Sequence, residues 1–374
     1  MRHCRALARL SLLAALACAG CRGSRASAEA PSVASYDVGA RPRSIAVSDL
    51  NGDGHRDVVV ANSSDGTLTL LLGVGDGRLR PSPAPIPAGN QPSDVDAIDL
   101  DQDGDDDLVV ANHETSGITV LINDGQAHFT PAPGSPFDSG ARPHVHGVAT
   151  GDFDGDGWVD VAVESADTKD VVIFAGGPGG LGAAPPVRVA VGTMPYHRLG
   201  AADVTRDGIA DILVPGHGDN TVRVVQGGRD GGAAGFVLAD ATIRLASKPW
   251  MVLGADVNAD RRNDLVVVQT DAVSVWLGGP ARFSEAPGSP FRVPGATQVA
   301  TGDLDGDGTP EIAVGPWDGD EVTILAGRTL TMRKVLACER PLAVAIADLD
   351  GDGKGELLAA SSTENRLVVT KWGR

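Results

Sequence analysis

Apolar runs and acidic clusters alternate along the chain with a regular period. A short apolar run leads into each acidic stretch, as in SIAVSDL from Ser44, DVDAIDL from Asp94, LGAADV from Leu199 and VAIADL from Val344. A continuous apolar run follows each one, at residues 58–61, 108–111, 212–214 and 265–268. Continuous rather than alternating apolarity predicts a strand buried on both faces. After a turn comes a third run, as in TLTLLLG (Thr67), ITVLIND (Ile118), DVVIFAG (Asp170), TVRVVQG (Thr221) and AVSVWLG (Ala272). A turn rich in Gly and Pro and a weaker fourth strand complete most units. The residue before each acidic stretch is small (Ser48, Gly151, Ala202, Ala255, Gly302, Ala347), with Ile98 the exception, which suits strands crowded about an axis.

The acidic stretches begin at Asp49, Asp99, Asp152, Asp203, Asp256, Asp303 and Asp348, with spacings of 50, 53, 51, 53, 47 and 45 residues. A period in this range marks a propeller, solenoid or array. Seven units of four strands predict an all-β fold, a seven-bladed β-propeller of four-stranded antiparallel blades, with a linear β-solenoid as the alternative. The chain ends decide for the ring. The last unit reaches the C-terminus with three strands, and SVASYDVGA from Ser32 has no unit of its own. Residues 33–39 are therefore expected to pair outside residues 366–371, closing the last blade and covering its edge.

Each acidic stretch reads as a cation-binding loop. In DFDGDGWVD, Asp152, Asp154, Asp156 and Asp160 hold positions 1, 3, 5 and 9, and Gly157 holds position 6. Odd-numbered carboxylates on a tight loop converge, a residue without Cβ permits positive φ, and hard oxygen ligands suit calcium. Position 7 would add its backbone carbonyl. The same positions carry Asp49, Asn51, Asp53 and Asp57, then Asp99, Asp101, Asp103 and Asp107. The fourth loop has Asp203, Asp207 and Asp211, with Thr205 at position 3. The fifth has Asp256, Asn258, Asp260 and Asp264, with Arg261 where Gly belongs. The sixth and seventh have Asp303, Asp305, Asp307 and Glu311, then Asp348, Asp350, Asp352 and Glu356. Arg261 puts a cation beside the ligands, so the fifth loop is expected to bind calcium weakest. An EF-hand is excluded, since its last acid falls at position 12 and helices flank it. Asp/Gly turns without metal are the plain alternative, but seven copies in register argue against it.

The pattern of apolar strand, D-x-[DN]-x-D-G-x-x-[DE] and apolar strand resembles the FG-GAP/VCBS repeat family, which includes the calcium-loop blades of integrin α-subunits. The resemblance spans residues 42–373. It implies blade and calcium loop, while family members serve adhesion, carbohydrate-related and some enzymatic roles.

Net charge is −18, and 25 of the 49 Asp and Glu sit at loop ligand positions. Seven bound dications would bring the total to −4. Such acidity argues against nucleic acid as partner. Arg2, Arg5 and Arg9 precede an apolar or small run at residues 10–20, too short to cross a bilayer, whose end is CAGC at Cys18 to Cys21. Residues 1–21 thus read as an export signal of lipoprotein type, with Cys21 the lipidated residue and Cys18 standing where Leu is usual. Cleavage after Ala28 or Ala30 is the rival. Residues 22–32 read as a tether, and residues 33–374 as the propeller. The expected location is the bacterial outer membrane, periplasm or exterior, with membrane contact only through that lipid. Cys338 is left alone, so no disulfide framework holds the domain.

A second constellation is less obvious. In a propeller, the loops between second and third strands share a face with the starts of the first strands, opposite the acidic loops. Near those starts lie Arg43, His144, His146, Tyr196, His197, Arg198 and Trp250, and on those loops lie His113, Glu164, His217 and Trp317. Five of eight histidines map to one face of a chain with only 4% aromatics. Aromatic and polar groups at a concave mouth suit a ligand, a glycan or a protein segment. Ordinary loop residues capping the blades are the plain alternative, and several imidazoles together could also bind a transition metal. The functional expectation is an exported calcium-binding module for glycan or protein. A carbohydrate lyase or hydrolase on the same face is the alternative, although no catalytic motif points to it: GPGGLG at Gly177 lacks the following helix, His113-Glu114 lacks a second zincin His, and G-x-S-x-G is absent.

Overall fold

The computed structural model describes residues 33–140, 144–229, 235–239, 242–280, 283–336 and 338–372. The signal and tether, residues 1–21 and 22–32, lie outside them. All elements among the described residues are strands, gathered into seven antiparallel sheets. Each is one blade. Blade 1, for example, is Pro42–Ser48, Asp57–Asn62, Thr67–Gly73 and an outer strand split into Leu79–Pro81 and Ile86–Pro87, both paired to the third strand. The outer strands of blades 2, 4 and 5 are split in the same way.

The second strand of every blade is buried at all six positions. Its residues point alternately to the two neighbouring blades. In blade 1, Val58 and Val60 pack with Leu358 and Leu367 of blade 7, while Val59 and Ala61 pack with Leu108 and Val110 of blade 2. Full burial of a valine is worth about 1.5–3 kcal/mol, so this strand carries much of the stability. The core is accordingly divided into seven clusters, one between each pair of adjacent blades, the 7–1 pair included.

The ring closes through the N-terminal strand. Val33–Asp37 pairs antiparallel with Arg366–Lys371, from Val33 opposite Thr370 to Asp37 opposite Arg366. The pairing stops two residues short of the expected 33–39, and the Val38 amide then bonds to the Asn365 carbonyl at 3.0 Å. The Tyr36 hydroxyl accepts from the Leu79 amide of blade 1 at 2.9 Å, tying the closing strand to both blades. Near the axis, first strands come very close. A Cβ at Gly254 would lie 2.3 Å from that of Ala202, and one at Gly302 would lie 2.5 Å from the Ile346 side chain, which is why small residues end these strands.

Candidate functional site

The acidic loops share one backbone design. The position-1 carboxylate accepts the amide of position 6 in all seven, at 2.7–3.1 Å. The position-5 carboxylate accepts the amide of position 7, at 2.8–3.0 Å. Position 6 has positive φ throughout, and Arg261 adopts it at 67° beside glycines at 79–98°. Position 4 is left-handed as well, including Gln102, Arg206 and Ala259. The spacing argument had singled out only position 6.

The position-9 acid is a clamp. It accepts the amide of loop residue 2 in every blade, at 2.8–3.1 Å. In blades 1 to 6 it also accepts an amide from the end of the third strand or just beyond it, from Gly73, Asn123, Gly176, Gly227, Gly278 and Gly327. Burial pushes Asp107, Asp160 and Asp264 up to about 6, against those donors.

Loops 2, 3, 6 and 7 bring one carboxylate oxygen each from positions 1, 3 and 9 within 4.8 Å of one another. These all-oxygen sets fit a hard dication, and the buried Asp99 Oδ1, which has no hydrogen-bond partner, fits it further. The other loops differ. Loop 1 has Asn51 at position 3. In loop 4, the Thr205 amide and hydroxyl turn onto Asp211 at 3.0 and 3.4 Å. In loop 5, Asn258 Nδ2 bonds Asp260 at 3.3 Å. Loop 7 holds a competitor that the spacing did not reveal, the Lys371 ammonium, paired with Asp350 and 3.8 Å from Glu356.

At the opposite end of the axis lies a cavity of about 440 Å³. Every blade contributes to its wall, which places it at the central mouth. Its large side chains are His113, His146, Tyr196, His197, Trp250 and Trp317, joined by Arg43. Ring contacts run on without a break from His144 through His113 and His146 to Tyr196 and His197, then to His217 and Trp250, with centroids 4.4–6.2 Å apart. The eight residues assigned to the ligand face thus come together. His144 and His217 border the wall, and Trp317, 39% exposed, stands with the Arg43 and Arg340 guanidinium carbons each 5.8 Å from its ring centroid.

Two local devices aim these side chains. In blades 1, 2, 5, 6 and 7 the first strand has a register shift one residue after its start, at Arg43, Ser93, Trp250, Thr297 and Leu342. All five line the cavity, as expected of bulges that re-aim a side chain. Blades 3 and 4 do it differently. Their first strands shrink to Val148–Gly151 and Gly200–Ala202, and the histidine-bearing segments before them leave the ladder, with His144 at φ 128° and His197 at φ 68°. Ser93, Thr297 and Leu342 were missed by sequence reading. The Pro before Ser93 and Leu342, matching Pro42-Arg43 and Pro249-Trp250, was the available signal.

Below the cavity a cluster of ion-paired side chains forms a floor joining blades 2 and 4. Arg198 turns away from the mouth and binds Asp94 at 3.0 Å and Asp96 at 2.6 Å. Asp94 also accepts from the Ser44 hydroxyl at 2.7 Å and the Val148 amide at 3.2 Å. Arg198 therefore serves the floor rather than the ligand face on which its position had placed it. Glu164 lies under the histidines, its side chain fully buried, and accepts His146 Nδ1–H at 2.9 Å. Burial raises its pKa. Burial lowers those of His113, His197 and His217, which favours neutral imidazoles on this wall.

Comparison with known proteins agrees with this architecture. FG-GAP-like repeats match residues 49–110, 99–163 and 256–314, which carry loops 1, 2, 3, 5 and 6. Human integrin alpha-7 is 34% identical over 137 residues, covering 35% of this chain and 11% of that protein. The chain therefore spans about a tenth of that relative. Among solved structures, BBS1N, crystallised in complex with ARL6DN, superposes with a TM-score of 0.63 at 15% identity, covering 90% of this chain and 93% of that one. Virginiamycin B lyase from Staphylococcus aureus gives 0.60 at 10% identity, covering 91% and 99%. Likeness at such identities concerns the fold alone.

Proposed function

We infer that this propeller of FG-GAP-like repeats is an exported binding module, stabilised by calcium on one face and taking its ligand at the channel mouth on the other. The observation that carries the reading is the cavity wall, where six large rings and Arg43 are gathered from six blades. Aromatic faces with a few polar groups in a concave site suit a sugar or a peptide segment. A volume near 440 Å³ accommodates a short stretch of either, not a folded surface. The BBS1N complex supports protein partnership as a use of this fold. The lipobox-like CAGC at Cys21 supports attachment to a bacterial membrane. A glycan and peptide array probed in calcium tests the reading. Trp250→Ala should lower binding of a true hit at least tenfold, since its indole sits in the wall. Hits that Trp250→Ala binds equally well would place the ligand elsewhere, and turnover of a hit would make the protein an enzyme.

For calcium, chelation should lower the melting temperature by many degrees, since each site at ten times its Kd adds about 1.4 kcal/mol. Calorimetry should show Asp154→Ala and Asp305→Ala each losing one site, whereas Asp260→Ala, in the Arg261 loop, loses little. A melting curve indifferent to chelator would reject the metal, and equal losses at all three would reject the ranking of loops.

A further inference from the structure

We propose that His113, His144 and His146 bind a divalent transition metal at the rim of the cavity, leaving one coordination position facing the cavity. One ring nitrogen from each lies within 4.8 Å of the others. His144 Nδ1 and His113 Nε2 are 3.4 Å apart. Two nitrogens about 2.05 Å from a tetrahedral zinc ion stand roughly 3.3 Å from each other, so this spacing already suits a shared ion. The His113 ring stands edge-on to both others, at 62° and 76°.

The carboxylates behind two of the rings indicate which nitrogens keep a lone pair. His113 Nδ1 faces Glu114 at 3.3 Å, and His146 Nδ1 faces Glu164 at 2.9 Å. A carboxyl oxygen accepts from the ring N–H it faces, as Glu164 Oε1 also does from the His146 amide, so both Nδ1 atoms carry the proton and both Nε2 atoms keep a lone pair. Histidine metal ligands are commonly oriented in this way by a carboxylate behind the ring. Glu164 has a second signature. Its Oε2 is buried and lacks a hydrogen-bond partner, and its other oxygen takes the His146 ring and the His146 amide. A dication on the far side of His146 would give this buried carboxyl group an electrostatic partner. His144, held at φ 128°, is kept by its surroundings in a conformation that L-residues rarely adopt, as residues at working sites often are. Imidazole nitrogens select zinc, copper or nickel, whereas calcium takes oxygen. The two faces would thus hold different metals, and the histidine site does not depend on what the cavity binds.

The experiment uses the full chain, stripped of metal and then saturated with calcium so that the acidic loops are filled. Zinc is titrated by calorimetry and cobalt by visible absorption. One zinc per chain and the intense d–d bands of four-coordinate cobalt are expected. His144→Ala removes an exposed side chain without disturbing the core and should weaken zinc about 100-fold or more. Glu164→Gln should keep the stoichiometry while weakening zinc about 10–100-fold and altering the cobalt spectrum, the behaviour of a positioning residue. His128→Ala, at an exposed histidine paired with Asp124 on the acidic face, should change nothing. Absence of zinc binding by the wild-type chain overturns the site. So does a folded His144→Ala protein with unchanged affinity, or binding that survives in the triple alanine variant.

Discussion

Replacing Arg198 with methionine should destabilise the propeller by about 3 kcal/mol, the low end for breaking a buried ion pair. The low end applies because the Arg198 side chain keeps 25% of its exposure, whereas Asp94 keeps 5%. The loss strands two carboxylates beside each other in the channel of a chain whose net charge is already −18. It also cuts a network that runs through Ser44, Asp94, Asp96, Val148 and Thr150, spanning blades 1 to 4. Methionine conserves much of the stem, so lost packing contributes little. The triple variant Asp94→Asn, Asp96→Asn, Arg198→Met should recover most of the deficit, because removing both partners of a pair leaves no orphaned charge. Urea denaturation in saturating calcium measures both. An Arg198→Met protein within about 0.5 kcal/mol of wild type, an ordinary surface effect, would show that the floor is not a structural clasp.

Deleting residues 33–37 should have a larger effect, shifting the whole unfolding transition and promoting aggregation. Five residues of ladder are lost, and the outer edge of Arg366–Lys371 becomes an open template for another chain. Ala34 and Tyr36 also leave the cluster between blades 7 and 1, and the Leu79 amide loses its acceptor. Tyr36→Phe isolates that last contact and should cost about 1 kcal/mol. Thermal melts and light scattering of the truncated chain check the larger claim. A truncated protein that melts like the intact one would mean the ring does not need this strand.

The ring was legible because its signals are local and repeated. A continuous run such as residues 58–61 can only be buried twice over, and a three-stranded last unit with a spare strand at the other end leaves one closure. The mouth was legible for a topological reason: His113, His146 and Trp250 had to share an end with each other and not with Asp152. What stayed hidden depends on single-residue register or on distant partners. Ser93, Thr297 and Leu342 reach the cavity through bulges, and a one-residue slip leaves no trace in a hydrophobic pattern. Arg198 meets an acid 102 residues away, Asp96, and its neighbour Asp94. Lys371 reaches into a loop 21 residues before it in the chain. The double duty of Asp160, clamp as well as candidate ligand, could not be seen from spacing that suits both roles.

The wall around the mouth is drawn from all seven blades, and each blade is wedged against two neighbours by a buried cluster. The aperture is therefore a gauge set by blade number, not a jaw. No single hinge can widen it, since opening between two blades would expose an entire wedge of valine and leucine to water. A ligand taken at this mouth, as proposed, would then be sorted by calibre on arrival, with little of its binding free energy lost to ordering the receptor. Natural variation in what such a mouth admits should accordingly arise in loop length and in the bulged residues, while the diameter stays constant.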